Sequence, residues 1–158
     1  MRRAALLPVL LLALPLAACA PTVSLRPAPE ATSARCAGVV VRLPDAIDGA
    51  ARRTTDAQGT AAWGLPAGVT LTCGVQTPQV ATTKCATVAG IDWLIETKKI
   101  DGVERQVATT YGRSPGTRLV IDSTQVPADA ALRAVAEPIT AATRATGVRC
   151  LSISETQR

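Results

Sequence analysis

Cysteines and carboxylates are the side chains of this sequence that could do chemistry, because it contains no histidine. Its 158 residues include five Cys and twelve Asp or Glu. The lack of His excludes a Ser–His–Asp triad, a Cys–His dyad and an imidazole metal site. No pair of carboxylates stands at a spacing that defines glycosidase or metal chemistry. The sequence also has no Gly-x-Ser-x-Gly, no Ser-x-x-Lys and no Gly-rich phosphate loop. We therefore expect a protein that is not an enzyme.

The first nineteen residues have the organisation of a bacterial lipoprotein signal. Met-Arg-Arg is followed by the apolar run Ala4–Leu16 and then by Leu16-Ala17-Ala18-Cys19. This run is shorter than the roughly 20 apolar residues of a transmembrane helix. Leu-Ala-Ala-Cys is similar to the lipobox, where the chain is cut immediately before a Cys that carries acyl chains such as palmitate. The similarity implies a signal peptide at 1–18 and a lipidated Cys19 that holds the protein on the outer face of the cell membrane. The alternative is a secreted protein with a spare thiol at Cys19.

The remaining chain divides into a tether and one domain. Residues 19–34 are rich in Pro, Ala, Ser and Thr and have no apolar period, which predicts an extended tether with a reach of roughly 45 Å. Residues 35–158 form the predicted extracytoplasmic domain. Loss of Arg2 and Arg3 with the signal would lower the formal charge of +5 by two. The other basic residues are scattered, so no nucleic-acid partner is expected.

Four cysteines remain for pairing: Cys36, Cys73, Cys85 and Cys150. An even number in an exported chain predicts two disulfides. Of the three connectivities that four Cys allow, we favour Cys73–Cys85, across the loop that contains Pro78, and Cys36–Cys150, between the first helix and the end of the last. A redox role is less favoured because there is no Cys-x-x-Cys. Spacings of 37, 12 and 65 lack a zinc knuckle, so we expect no metal and no other cofactor.

Two helices are predicted from the apolar spacing. The first covers Ser33–Leu43, with Ser33 as its N-cap, and the second covers Asp129–Thr146, with Leu132, Val135 and Ile139 on one face.

Strands are predicted between the helices, and turns are predicted at Asp48-Gly49 and Asp101-Gly102. Val75–Cys85 is predicted to be a loop. The element order indicates a single small α+β domain, with an antiparallel sheet of four to five strands flanked by an N-terminal and a C-terminal helix and stapled by disulfides. The predicted strands are Ala61–Trp63, Val69–Cys73, Thr87–Thr97, Val103–Tyr111 and Arg118–Ser123.

Three aromatic residues and one arginine are candidates for binding. An exposed indole could stack on a sugar ring, but a Trp in a domain so poor in aromatic residues more often belongs to the core. The arginine follows a Tyr-Gly pair, where its planar fork could hold a carboxylate or phosphate. It could instead pair with Asp92 or Asp122. The candidates are Trp63, Trp93, Tyr111 and Arg113.

Several short segments, taken in order, resemble an actinobacterial family of exported proteins, the domain of unknown function 3515 family. The resemblance extends over nearly all of Arg35–Leu151 and implies a lipoprotein or secreted protein of the cell envelope. Because the family carries no assigned activity, it implies no catalytic residue. The matching segments are Cys36–Pro44 (CAGVVVRLP), Asp48–Arg53 (DGAARR), Ala61–Pro66 (AAWGLP), Leu71–Val75 (LTCGV), Pro78, Gly90–Leu94 (GIDWL), Thr109–Arg113 (TTYGR) and Val126-Pro127.

These observations predict a membrane-anchored envelope lipoprotein with a non-catalytic binding or structural role at the membrane–wall interface. Its expected partners are the membrane, through the lipid anchor, and a cell-wall component or an envelope protein. The alternative function is an extracytoplasmic enzyme that uses Asp92, Asp122 and Arg113 in a deep cleft.

Overall fold

The protein forms two helices and ten strands within residues 20–81 and 83–151, the ranges that its structure, a computed structural model, describes. The helices are α1 (Ala34–Val40) and α2 (Ala128–Ala142). The α+β class predicted from the sequence is confirmed. The strands are β1 (Ala46–Ile47), β2 (Ala50–Arg53), β3 (Thr60–Trp63), β4 (Val69–Val75), β5 (Lys84–Val88), β6 (Ile91–Ile100), β7 (Val103–Tyr111), β8 (Arg113–Ser114), β9 (Gly116–Ile121) and β10 (Arg144–Ala145).

Eight of the strands form one antiparallel sheet in the order β1-β2-β3-β4-β9-β7-β6-β5. The remaining two, β8 and β10, pair with each other. The prediction of four to five strands was therefore wrong. β1 and β2 were missed because they are short and only Ile47 in them is buried, so they show no clear alternation. β5 was missed because it begins inside the segment predicted to be a loop.

Tight turns account for one further difference. Asp48-Gly49 and Asp101-Gly102 form the predicted turns, with all four residues at positive φ. A third turn of this kind, Ala89-Gly90, has φ of 49° and 77° and joins β5 to β6. This turn divides the single strand predicted over Thr87–Thr97. It was not predicted because alanine rarely adopts a positive φ and gives no turn signal.

The helices pack on one face of the sheet. The hydroxyl of Ser33 accepts a hydrogen bond from the Cys36 amide at 3.3 Å, which confirms the predicted N-cap of α1. α1 contacts β4 and α2, while α2 also contacts β9, β1 and β5. The predicted apolar face of α2 is buried in the core that these contacts form. Its largest fully buried side chains include Trp63, Trp93, Ile47, Leu71, Ile91, Leu119, Ile121 and Ile139.

Two disulfides form among the four cysteines, as predicted, but with a different connectivity: Cys36 bonds to Cys73, and Cys85 bonds to Cys150. The favoured pairing was wrong because strand register separates its partners. One row of opposed strand residues crosses the sheet from Cys85 to Thr72, by way of Leu94, Thr109 and Arg118. Thr72, and not Cys73, therefore shares a face of the sheet with Cys85. Since adjacent strand residues point to opposite faces, Cys73 faces the helices and Cys85 faces away from them.

The chain after α2 crosses from the helix face to the other face of the sheet. Thr146 donates its amide proton to the carbonyl of Gly112 at 2.9 Å, and the Cys150 amide donates to Asp92 Oδ2 at 2.7 Å. A Cβ atom at Gly112 would lie 1.8 Å from the Val148 carbonyl oxygen. The crossing therefore requires glycine at position 112.

The segment before α1, predicted to be a free tether, lies along the domain. Val23 donates its amide to Thr54 O at 2.9 Å, and Leu25 donates to Asp56 Oδ1 at 2.8 Å. Near the other end of the segment, Glu30 donates to Gly74 O at 3.1 Å. Backbone amides of the segment make these contacts, so docking requires no periodic pattern of apolar side chains. The predicted signal peptide 1–18 and Cys19 lie outside the described residues.

Neither described helix has the length and hydropathy that a membrane-spanning helix requires.

Candidate functional site

A groove runs along the end of the sheet where β4 ends and β9 begins. It consists of three adjoining clefts of about 430, 300 and 460 Å³. The first and second clefts share Val75 and Gln76, and the second and third share Gln79. We call this continuous surface the basic groove, and define it by Arg26, Gln76, Gln79, Arg113, Arg118 and Leu151.

Two exposed arginines, Arg26 and Arg118, line the first cleft of the basic groove. Arg118 donates from Nε to Thr109 Oγ1 at 3.3 Å. This hydrogen bond does not use the two terminal nitrogens of the guanidinium group. Among residues 20–81 and 83–151, no carboxylate lies within 4.0 Å of either guanidinium group. This cleft therefore presents two cationic groups to the solvent, and a bound carboxylate or phosphate could satisfy both.

The walls of the first cleft come from two distant parts of the chain. The segment before α1 supplies Arg26 and Pro27–Pro29, and the sheet supplies Arg118 with its strand partner Thr72. This segment stays in place because Glu30 bonds to Gly74, where a Cβ atom would lie 2.5 Å from the Glu30 carbonyl carbon. The cleft exists only because the segment is docked on the sheet.

Arg113 lies in the second cleft, with Gln76 and Gln79. Its Nη1 lies 3.5 Å from the Thr143 carbonyl, just beyond the end of α2. Glu30 also lines this cleft but is not within ion-pair distance of Arg113. The predicted binding residue Arg113 thus belongs to the same groove as Arg26 and Arg118.

The third cleft is more apolar. Val80 and Leu151 are 69% and 66% exposed, and both line this cleft. Tyr111 is buried beneath them, and its hydroxyl donates to the Gln79 carbonyl at 3.1 Å. The predicted binding residue Tyr111 therefore holds the loop in place and forms part of the cleft wall.

The two tryptophans are core residues. Trp63 and Trp93 are both 0% exposed, and Trp63 Nε1 donates to the Pro44 carbonyl at 3.0 Å. Neither indole can stack on a ligand in this structure, so the interpretation of these residues as a binding surface is corrected. They are buried because the inward-facing positions of β3 and β6 lie beneath the helices.

The carboxylates of the alternative enzyme do not meet. Asp92 pairs with Tyr111 on β7, whereas Asp122 follows Ile121, which pairs with Gln106. Asp122 is therefore level with Arg105, six residues along β7 from Tyr111, and the two carboxylates are about 20 Å apart along the strand direction. Neither carboxylate lines the cleft that holds Arg113.

Each of these carboxylates has a local structural role. Asp92 accepts from Thr87 Oγ1 at 2.6 Å as well as from the Cys150 amide. The Asp122 carboxylate accepts from the hydroxyl of Thr124 at 2.6 Å and from the side-chain amide Nε2 of Gln125 at 2.8 Å. These hydrogen bonds, led by the one from Thr124, hold the pKa of Asp122 below its ordinary value, and the charge of Arg105 adds to the effect.

The model of a protein family of unknown function, DUF3515, matches residues 5–147. The chain belongs to the DUF3515 family. No curated protein and no solved structure matches it.

For this DUF3515 protein, sequence reasoning found one arginine of the groove and missed two. Arg26 was missed because its segment was taken as a tether. Arg118 was missed because its strand was predicted from the apolar residues Leu119 and Ile121, which share one face. A useful signal was a charged residue directly before Leu119, because neighbours in a strand point to opposite faces. The described residues contain no cluster of three Cys, Asp or Glu side chains that could hold a metal ion.

Proposed function

We propose that the protein is a membrane-anchored lipoprotein of the cell envelope that binds an anionic, extended component of the cell wall without converting it chemically. Binding is supported above all by the pair Arg26 and Arg118, which line one open cleft with no carboxylate partner among the described residues. A cationic pair of this kind is typical of a site for carboxylate or phosphate groups.

The shape of the basic groove supports an extended ligand. Its three clefts adjoin through the loop that carries Gln76 and Gln79. The first holds Arg26 and Arg118, the second holds Arg113, and the third holds the exposed Val80 and Leu151. A polymer or peptide with anionic groups at one end of its bound segment and apolar atoms at the other would match this order.

The cysteines support a location on the extracytoplasmic face of the membrane. Leu16-Ala17-Ala18-Cys19 is similar to a lipobox, and the other four Cys form two disulfides. Disulfides of this kind persist in an oxidising compartment outside the cytoplasm. A non-catalytic role is supported by the separate structural engagement of Asp92 and Asp122.

The binding proposal can be tested with the Arg26→Gln/Arg118→Gln double variant. Fluorescein-labelled polyphosphate and polyglutamate serve as anionic probes, and fluorescence anisotropy gives Kd. Because each exposed charge contact contributes about 1 kcal/mol, the double variant should bind about thirty-fold more weakly.

A control for the loss of positive charge outside the groove is Arg133→Gln, which removes one positive charge. Arg133 lies on α2, where it pairs with Asp129 at 2.7 Å, and it does not line the groove. This variant should keep the Kd of the wild type. Equal weakening by the double variant and the control, or no binding of either probe by the wild type, would contradict the proposal.

A further inference from the structure

We propose that the β3–β4 turn, Gly64–Gly68, rests on the lipid surface through Leu65, and that the basic groove faces away from the membrane. This inference rests on the proposed lipidation of Cys19. It adds an orientation, since it specifies which end of the sheet meets the lipid and which end meets the wall.

Arg53 links the beginning of the docked segment to the β3–β4 turn. The guanidinium group of Arg53 donates from Nη2 to the Pro21 carbonyl and from Nη1 to the Gly64 carbonyl, the latter at 2.8 Å. One side chain therefore holds both the beginning of the docked segment and the β3–β4 turn.

The reach of the chain then places the lipid. Only Ala20 separates Cys19 from Pro21, and a fully extended chain covers at most about 3.5 Å per residue. The acylated sulfur must lie within about two residue lengths of Pro21, close to the β3–β4 turn. A tether with a reach of roughly 45 Å would have set no such limit.

The turn presents an apolar side chain at this place. Leu65 directly follows Gly64 and is 69% exposed. An exposed leucine beside an acyl chain gains by entering the headgroup region, because its apolar surface then leaves water.

The docked segment also fixes where the groove lies. It starts at the Arg53 end, bonds to Thr54 and Asp56 on the way, and reaches Gly74 through Glu30. β4 runs between the same two ends, from Val69, which pairs with Trp63, to Val75 in the groove. Its six steps cover roughly 20 Å, so the groove opens roughly this far from the membrane-facing turn.

The test introduces a fluorescent reporter at each end of the sheet. Leu65→Trp and Val80→Trp form a matched pair, because both native side chains are 69% exposed and lie outside the core. The full lipidated chain is reconstituted in vesicles of phosphatidylcholine and phosphatidylglycerol, with and without a doxyl-labelled quencher lipid. Wild-type protein, with its two buried tryptophans, gives the baseline. We expect the Leu65→Trp protein to lose most of its added emission to the quencher and the Val80→Trp protein to lose none.

A second variant tests the connection that carries the inference. Arg53→Gln removes the link between Pro21 and the turn. In the Leu65→Trp background it should reduce quenching while flotation with the vesicles stays unchanged.

The outcomes separate this inference from the proposed function. Equal quenching at both positions, or no quenching at position 65 in protein that floats with the vesicles, would overturn the orientation and leave the anchor intact. A chain that carries no acyl group by mass spectrometry and does not float would overturn the anchor, and the orientation with it.

Discussion

Asp56 is an exposed carboxylate whose hydrogen bonds hold the docked N-terminal segment. Its Oδ1 accepts the Leu25 amide proton at 2.8 Å. This backbone hydrogen bond, followed by one from the Ser24 side chain, lowers the pKa of Asp56 below its ordinary value of 3.8. The charged form is thus stabilised by the folded arrangement, and the segment in turn depends on that charge.

The docking of this segment should consequently depend on pH. Because the folded pKa of Asp56 is depressed, the contribution of its carboxylate is fully present above pH 3.8 and is lost as the pH falls through the lower folded value. We expect the NMR signal of the Leu25 amide to stay constant from neutral pH down to about 3.8 and to shift below it.

Asp56→Ala provides the control, since the Leu25 amide signal should then lack this transition. In the same variant the amides of β4 and β9 should keep their wild-type signals. A wild-type Leu25 signal that is flat through the acid range would contradict the assigned hydrogen bond.

Local contacts at the residue scale could be predicted, and distant ones could not. Ser33 was identified as an N-cap because its partner lies only three residues away. Arg53 and Pro21 are separated by 32 positions, and no local pattern connects them. Asp122 was expected as a partner of Arg113, but the register of β7 and β9 brings Arg105 to 3.5 Å from it instead.

At the scale of elements, turn chemistry decided which strands could be found. Asp48-Gly49 and Asp101-Gly102 signal a hairpin in sequence, whereas Ala89-Gly90 carries no such signal. The same limit applied to the disulfides. Their pairing depends on which face of the sheet each cysteine occupies, and this requires the strand order as well as the strand positions.

The two disulfides should differ in their accessibility to a reductant. Cys36 and Cys73 are fully buried between α1 and β4, whereas Cys85 and Cys150 are half-buried on the other face. Thiol–disulfide exchange requires access to a sulfur atom. Mild reduction of the native protein, followed by alkylation and peptide mapping, should therefore label Cys85 and Cys150 first.

Removal of the buried disulfide, Cys36–Cys73, should lower the free energy of unfolding. The loop between Cys36 and Cys73 has a sequence separation of 37 residues, and in the loop-entropy model its closure contributes about 4 kcal/mol. The Cys36→Ala/Cys73→Ala variant should lose about this much in urea unfolding. Labelling of Cys36 and Cys73 before the other pair, or a peptide that links Cys73 to Cys85, would contradict this assignment.

At the scale of the whole molecule, the docked segment changes the expected distance between domain and membrane. A free tether would have allowed the domain to move over roughly 45 Å. With Pro21, Val23, Leu25 and Glu30 bonded to the domain, the membrane attachment would be short and directional. The family resemblance and the α+β class could be predicted from the sequence, but this arrangement could not, because it arises from backbone contacts of a proline-rich segment.

The last prediction concerns the attachment itself. Because the buried side chains of the hydrophobic core lie between Cys36 and Ile139, Cys19→Ala should release the protein from the membrane fraction without changing the fold. The released protein should keep both disulfides in peptide mapping and the wild-type Tm in a thermal melt. The Cys36→Ala/Cys73→Ala protein should behave in the opposite way, with a lower Tm and continued membrane attachment. Retention of Cys19→Ala in washed membranes would contradict the lipid anchor, since the only acyl site that the proposal names would then be absent.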